Sequence, residues 1–362
     1  MKIAELDTPV LLVDRALLAR NIARMQAMAA NAGIAYRPHA KAHKSPVIAE
    51  MQLAAGAVGQ CCAKLGEAEV LAAGGVRDIL ITTPVVGRSK LTRLMNLLNE
   101  ARVAVVTDSA ANVAELARAA QTGGRPIDVL IEVDVGQGRC GVTPGEAAAA
   151  LAAEIADQKW LKFRGLQGYQ GALQMLGSAA ERRAKVQDAL DKLLASADAV
   201  KKRGISVSVL TGGGTGSSAI DCALKGLTEL QPGSYIFMDA KYAGIEWEGA
   251  NRVPFENALT VLGTVISKPA KDHAIVDVGM KAASGDGGPL QPMDLPGGVF
   301  SFAGDEHGHL RFEGACPLEI GAQVRFIPSH CDTTVNLYDQ YIVVDGDDVV
   351  DVWDIPARGR VQ

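Results

Sequence analysis

The stretch Ile127-Asp-Val-Leu-Ile-Glu-Val-Asp134, followed by Glu146-Ala-Ala-Ala-Ala-Leu-Ala-Ala-Glu-Ile-Ala156 and then by Phe163-Arg-Gly-Leu-Gln-Gly-Tyr-Gln170, sets the organisation of the chain. The outer two runs are short and rich in apolar strand formers, and the middle one carries apolar residues at helical spacing. Two strands joined through a helix pair in parallel, because a parallel connection needs a long crossover. The same unit recurs on both sides. Before it lie the strand-like runs Ile34–Ala40, Ala57–Ala63, Asp78–Thr83 and Val103–Thr107, and after it Val207–Thr211 and Ser234–Met238. Helical segments such as Ala110–Ala120 and Arg182–Lys202 separate them. Eight strands alternating with helices predict an α/β fold, a (β/α)8 TIM barrel, since eight parallel strands can close without leaving an edge.

The pattern changes near Ala250. Beyond it, Leu259–Ser267, Ala274–Gly279, His309–Phe312, Val324–Ile327 and Tyr341–Val344 are short strand-like runs broken by Gly, Asp and Pro, including the loop Ser284-Gly-Asp-Gly-Gly-Pro289. The chain therefore divides into a barrel over residues 15–250 and a C-terminal all-β domain over 251–362. The segment 8–14, with the run Val10–Val13, precedes the first barrel helix (Arg15–Asn31) and is expected to join the β domain. A length of 362 residues with 48% hydrophobic content suits two cores, because single cores stop growing near ~250–300 residues.

The bulk properties narrow the function. A formal net charge of −5 gives no electrostatic footprint for nucleic acid, so a small-molecule partner is expected. No run approaches the ~20 apolar residues of a membrane span, and the N-terminus has no basic segment leading into an apolar stretch, so a cytoplasmic protein without membrane contact is expected. The six cysteines are scattered, which predicts reduced thiols rather than a disulfide framework.

In such barrels chemistry gathers at the C-terminal ends of the strands. Lys41 ends the first run, Arg139 follows the fifth, Tyr169 ends the sixth, and Thr211-Gly-Gly-Gly-Thr-Gly-Ser217 follows the seventh. A glycine-rich turn at that position lets backbone N–H groups approach a phosphate; elsewhere it would read as a flexible turn. Lys41 lies in the cationic stretch Arg37-Pro-His-Ala-Lys-Ala-His-Lys44. Such a run is often a solvated loop, yet alternation places Arg37, His39 and Lys41 on one strand face, which in a barrel can be the interior. Neighbouring cations would push Lys41 toward its neutral amine, the state that forms a Schiff base. Lys44 competes, but it precedes Ser45-Pro46 and a helix start. In the β domain, Pro328-Ser-His-Cys-Asp-Thr-Thr-Val-Asn336 sets His330 and Asp332 two apart, on one side of an extended segment, where they could share a divalent cation and leave its other positions open. By spacing alone this signal is weak, and a surface pair would look the same.

Together these stretches resemble the fold type III pyridoxal phosphate enzymes of the D-threonine aldolase and D-serine dehydratase group, related to alanine racemase. Thr8-Pro9 with Asp14, the Lys41 stretch, Gly165-Leu-Gln-Gly-Tyr-Gln-Gly171, the glycine-rich turn, Pro232-Gly-Ser-Tyr-Ile-Phe-Met-Asp239 and His330-Cys-Asp332 carry the resemblance along nearly the whole chain. It implies pyridoxal 5'-phosphate bound to Lys41, with Thr211, Gly213, Gly214 and Thr215 around the phosphate and Tyr235 supporting the cofactor from the eighth strand. Arg139, Gln167 and Tyr169 would line ring and substrate. It also implies a divalent metal (Mn2+, Mg2+ or Zn2+) at His330 and Asp332 holding the substrate's β-hydroxyl, and a homodimer.

Two departures stand out. The lysine motif reads Lys41-Ala42-His43, where Lys-Thr-His is commoner. In Tyr169-Gln-Gly-Ala-Leu-Gln-Met175, methionine occupies a place where aldolases of the group often carry a proton-accepting histidine, which leaves His39 or metal-bound hydroxide as candidates. The expected reaction is retro-aldol cleavage of a D-β-hydroxy-α-amino acid to glycine and an aldehyde, with Lys41, His39 and Tyr169 as catalytic candidates. Dehydration to a 2-oxo acid and ammonia, racemisation, and non-catalytic carriage of the cofactor are the alternatives.

Overall fold

The structure, a computed structural model, describes residues 1–250 and 253–362. The expected junction at 250/251 touches positions 251 and 252, which lie outside the described residues.

Strand β1 (Val10–Asp14) runs directly into α1 (Arg15–Ala32). The Asp14 carboxylate accepts from the Leu17 N–H at 2.9 Å and fixes the helix start; Gly33, at φ 70°, ends it in the left-handed conformation that glycine takes without strain. Leu18, Ile22, Met25 and Ala29 form its buried face. The barrel strands follow: β2 (Ala35–Tyr36), β3 (Gln60–Cys62), β4 (Asp78–Ile81), β5 (Arg102–Thr107), β6 (Ile127–Glu132), β7 (Leu161–Gly168), β8 (Val209–Gly212) and β9 (Glu229–Leu230). Between and after them come α2 (Pro46–Ala54), α3 (Leu65–Ala73), α4 (Arg88–Leu97), α5 (Ala110–Gly123), α6 (Glu146–Ala156), α7 (Ala179–Lys202), α8 (Ser218–Leu224) and α9 (Ala240–Ala243).

The order β2-β9-β8-β7-β6-β5-β4-β3 is parallel throughout. The ring closes between β2 and β3 through the His39–Cys61 bridge, where the Cys61 N–H donates to the Pro38 carbonyl at 2.8 Å. The barrel expectation is thus borne out. Gly165 lets β7 press onto β8: a Cβ there would lie 1.8 Å from the Val209 carbonyl oxygen.

Inward-facing residues stack in three layers, as alternation along each strand requires. At the N-terminal ends Arg37, Asp78, Arg102, Asp128, Arg164 and Glu229 form a charged plug. Above it Cys61, Leu80, Val106 and Leu130 make a small apolar layer. At the C-terminal ends Thr82, Glu132, Gln167 and Gln231 border a cavity.

Two strand expectations change. In the run Ile34–Ala40 the regular ladder is confined to Ala35–Tyr36, although the Arg37 and His39 N–H groups still donate to the Leu230 and Pro232 carbonyls at 3.0 and 2.9 Å; Pro38 has no N–H to donate, and the chain turns into a short 3-10 helix at Ala40–Ala42. Lys41 therefore sits on a turn rather than at a strand end. The run Ser234–Met238 is no strand either: the eighth barrel strand is β9, and Pro232-Gly233 diverts the chain into a 3-10 turn at Ser234–Ile236.

The second sheet contains β10 (Leu259–Ala270), β11 (His273–Val276), β12 (Gln291–Pro292), β13 (Val299–Phe302), β14 (Gly308–Arg311), β15 (Gln323–Ile327), β16 (Gln340–Asp345) and β17 (Asp348–Asp354). Strand β1 lies in it, antiparallel to β10 and parallel to β16, so the sheet is mixed. Between β15 and β16 the chain forms α10 (Cys331–Val335), with His330 at its N-cap, where an extended segment was expected. That segment is tied to the barrel top. The Ala240 N–H donates to the Pro328 carbonyl at 2.9 Å, the Cys331 N–H to Asp239 at 3.2 Å, and the Tyr341 hydroxyl to the His43 carbonyl at 2.7 Å.

Candidate active site

A cavity of about 560 Å³ opens where the C-terminal ends of the barrel strands meet α10. It gathers His39 and Lys41 from the turn after β2, Arg139 from the loop after β6, and Gln167 and Tyr169 from the end of β7. Gly214 and Thr215 enter from the loop after β8, and His330 and Asp332 from the second sheet's connection. The Lys41 Nζ lies 3.7 Å from Asp332 Oδ2 and 5.9 Å from the centre of the Tyr169 ring, and the Arg139 guanidinium lies at the same distance from that ring.

The electrostatics of Lys41 differ from the sequence expectation. Burial pulls its amine down, but the Asp332 carboxylate and the Tyr169 phenol outweigh burial and the Arg139 charge, and the amine rests above its ordinary value. The cations that were to depress it are spent elsewhere. Arg37 faces the opposite end of the barrel, paired with Asp78 at 2.6 Å and Glu229 at 3.0 Å, and Lys44 is paired with buried Glu67. For Asp332, burial pushes the carboxyl up, and Lys41 and His330 reverse this and hold it below its usual range.

His39 is neutral, driven well below the ordinary imidazole value by burial and then by the charge of Lys41. Its Nδ1 accepts from the Lys41 backbone N–H at 3.3 Å and its Nε2 lies 3.0 Å from the Thr82 hydroxyl, which itself donates to the Cys62 carbonyl. The hydrogen therefore sits on Nε2, and both nitrogens are engaged. His39 holds the Lys41 turn in place and has no free nitrogen with which to take a substrate proton.

Among the described residues, the buried backbone N–H groups of Thr215, Gly216, Gly233 and Ser234 have no hydrogen-bond acceptor. Buried amides are almost always paired, so four unpaired ones from two adjacent loops, three of them on residues that line the cavity, are a candidate anion cradle. Three expected residues lie outside it. The Thr211 hydroxyl is fully buried and accepts from Gln231 at 2.8 Å, and Gly213 packs behind the loop, where a Cβ would lie 2.4 Å from Asp221. Tyr235 points its phenol into the core, hydrogen-bonded to Tyr36 and Gln52, and reaches the cradle only through its N–H to the Thr215 hydroxyl at 3.0 Å.

The alanine racemase N-terminal domain pattern matches residues 13–241. The chain belongs to that family. A second pattern, described as a putative serine dehydratase domain, matches residues 258–344. Over 99% of its length the chain is 44% identical to a D-threonine aldolase of Arthrobacter sp, covering 94% of that protein. It is 38% identical to a 3-hydroxy-D-aspartate aldolase of Paracoccus denitrificans (strain Pd 1222), with 99% and 93% covered. The crystal structure of D-threonine aldolase from Filomicrobium marinum superposes with a TM-score of 0.98 at 39% identity, covering 100% of this chain and 98% of that one. These relatives place it among the fold type III pyridoxal phosphate enzymes.

The residues of this alanine racemase-type barrel fit that cofactor: an amine at Lys41, an anion cradle of unpaired amides, and a cavity between them. For a divalent metal the cavity offers His330 and Asp332, two side chains of ligating type; among the described residues no three His, Cys, Asp or Glu side chains converge as a metal centre. Four further cavity residues escaped the sequence reading. Glu132 ends β6, Ser234 donates to Asp332 at 3.0 Å, Lys241 has no acidic partner among the described residues, and Asp286 meets His330 at 2.7 Å. Glu132 and Ser234 lay in stretches already marked as strand runs and Asp286 in one marked as a loop, while Lys241 lay in none.

Proposed function

We propose that this chain is a pyridoxal phosphate-dependent lyase that breaks the Cα–Cβ bond of a D-β-hydroxy-α-amino acid such as D-threonine, releasing glycine and an aldehyde. The observation that carries the reading is the meeting of Lys41, His330 and Asp332 in one cavity, with the amine 3.7 Å from the Asp332 carboxylate. A group that handles a β-hydroxyl thereby stands beside the lysine that carries the cofactor. The barrel, residues 15–250, supplies the cofactor groups, and the β domain, 251–362, supplies the pair for the hydroxyl.

In this reading Lys41 bonds to the cofactor and later holds the proton that returns to Cα. The amides of Thr215, Gly216, Gly233 and Ser234 hold the phosphate, and Arg139, Gln167 and Tyr169 border the ring. When bound, pyridoxal phosphate supplies the electron sink for the charge left at Cα. A divalent ion (Mn2+, Mg2+ or Zn2+) held by His330 and Asp332 would polarise the β-hydroxyl. Met175 lines the cavity and accepts no proton, and His39 has both nitrogens engaged, so the ionised Asp332 carboxylate is the acceptor this chain offers nearest Lys41. On the same reading the enzyme is a cytoplasmic homodimer, in keeping with its resemblance to alanine racemase-type enzymes; no helix among the described residues is long and apolar enough to cross a membrane.

Met175 and the dehydratase-type second domain favour one rival, loss of the β-hydroxyl to give a 2-oxo acid and ammonia. Both are tested by supplying D-threonine, D-serine and D-3-hydroxyaspartate to cofactor-loaded protein with and without Mn2+. Glycine plus an aldehyde is expected; ammonia plus a 2-oxo acid would overturn the aldolase reading.

A further inference from the structure

The loop Ser284-Gly-Asp-Gly-Gly-Pro289 is built against the segment that carries His330. Asp286 Oδ2 lies 2.7 Å from His330 Nδ1, while its Oδ1 accepts from the Ser284 hydroxyl at 2.7 Å and the Thr333 hydroxyl at 2.9 Å. The loop is stitched down on both sides. The Ser284 N–H donates to the Thr334 hydroxyl at 3.2 Å, and the Ser329 hydroxyl donates to the Ser284 carbonyl at 3.3 Å. Gly287 permits the fit, because a Cβ there would lie 2.7 Å from Ser329 Oγ and 2.8 Å from its carbonyl carbon and oxygen. Asp286 and His330 both face the cavity.

We infer that Asp286 is a positioning residue: it fixes the His330 imidazole with its hydrogen on Nδ1 and presents the Nε2 lone pair to the cavity. An ionised carboxylate only accepts, so the nitrogen facing it must donate. A neutral imidazole carries one hydrogen, and placing it on Nδ1 leaves Nε2 as the electron-pair donor, the form that binds a cation. Without Asp286 the ring is free to rotate and to take the other tautomer. The Ser284 and Thr333 hydroxyls fix the carboxylate as the carboxylate fixes the ring, which gives the loop a role that its glycines alone do not reveal. The consequence for metal binding rests on the proposed His330/Asp332 cation site; the orientation of the ring does not.

The test combines two measurements on cofactor-loaded protein, wild type beside Asp286→Ala and Asp286→Asn. In the metal-free state, nitrogen-15 NMR of labelled histidine, with the His330 signal assigned from a His330→Gln variant, is expected to show the Nδ1–H tautomer in wild type and its loss in Asp286→Ala. Asp286→Asn, whose amide oxygen still accepts, is expected to keep it. Titration with Mn2+, followed by the EPR signal of the free ion, is expected to show affinity weakened roughly 10- to 100-fold in Asp286→Ala and less in Asp286→Asn. The Nε2–H tautomer in wild type, or an Asp286→Ala protein with wild-type tautomer and affinity, would overturn the inference. A wild type that binds no Mn2+ yet shows the Asp286-dependent tautomer would remove the metal reading and uphold the positioning role.

Discussion

Glu132 ends β6 beneath the cavity, where burial pushes its carboxyl up to about 8 against the opposing pull of the Gln167 amide and the Arg139 charge. The folded chain thus holds a proton that the unfolded chain releases near 4.5. Stability from this group is complete below the unfolded value and is lost as pH rises through about 8. Buried, neutral His39 and His43 oppose this trend up to about pH 6.5, the ordinary imidazole value, so the thermal midpoint of wild type should fall between about pH 6.5 and 8.5, and Glu132→Gln, neutral at every pH, should flatten part of that fall. The remainder belongs to groups such as Asp221, which burial raises to about 7. An unchanged slope in the variant would contradict the assignment. At this scale Lys41 was legible because its neighbours form a distinctive string. Glu132 and Asp286 were not, since a lone carboxylate in a strand or turn looks the same whether it meets solvent or a partner far along the chain.

Most strands and helices were legible because their runs are long enough to show a period. The exceptions are short. β2 and β9 are two-residue strands beside Pro38 and Pro232, and the apolar residues around them serve turns rather than ladders. The His-x-Asp spacing was read as extended alternation, whereas His330 caps a five-residue helix that turns its polar groups to different neighbours. The glycine-rich loop was found, but the amides left without an acceptor among the described residues are those of Thr215 and Gly216 together with Gly233 and Ser234 from the next loop, the groups proposed to hold the phosphate, and amides carry no sequence signature. A Cβ at Gly216 would lie 2.0 Å from the backbone oxygen of Gln174, so Gly216→Ala must shift the loop. We expect that variant to lose about 1–3 kcal/mol of stability in chemical denaturation and to release its cofactor more readily in equilibrium dialysis. Retention equal to wild type would contradict the cradle.

Across the whole molecule, the barrel separates stability from chemistry by layer. Arg37 and His39 belong to one inward-facing series, yet two residues along a strand are about 6–7 Å apart. That step moves from the charged plug to the cavity. Spacing along a strand gives a face and not a depth, so from sequence Arg37 ranks with the cations around Lys41; its actual partners, Asp78 and Glu229, come from later strands. Arg37→Ala leaves both acids without it and should cost about 3–5 kcal/mol in urea unfolding. Turnover by the folded fraction should be unchanged, and a selective loss of turnover would contradict the layering. The most direct test of the account lies at the other end, where the second sheet lowers α10 onto Lys41: glycine released from D-threonine by cofactor-loaded Asp332→Ala, compared with wild type at equal bound cofactor. Release slowed roughly 100-fold or more is expected, and release at the wild-type rate would overturn the role proposed for Asp332.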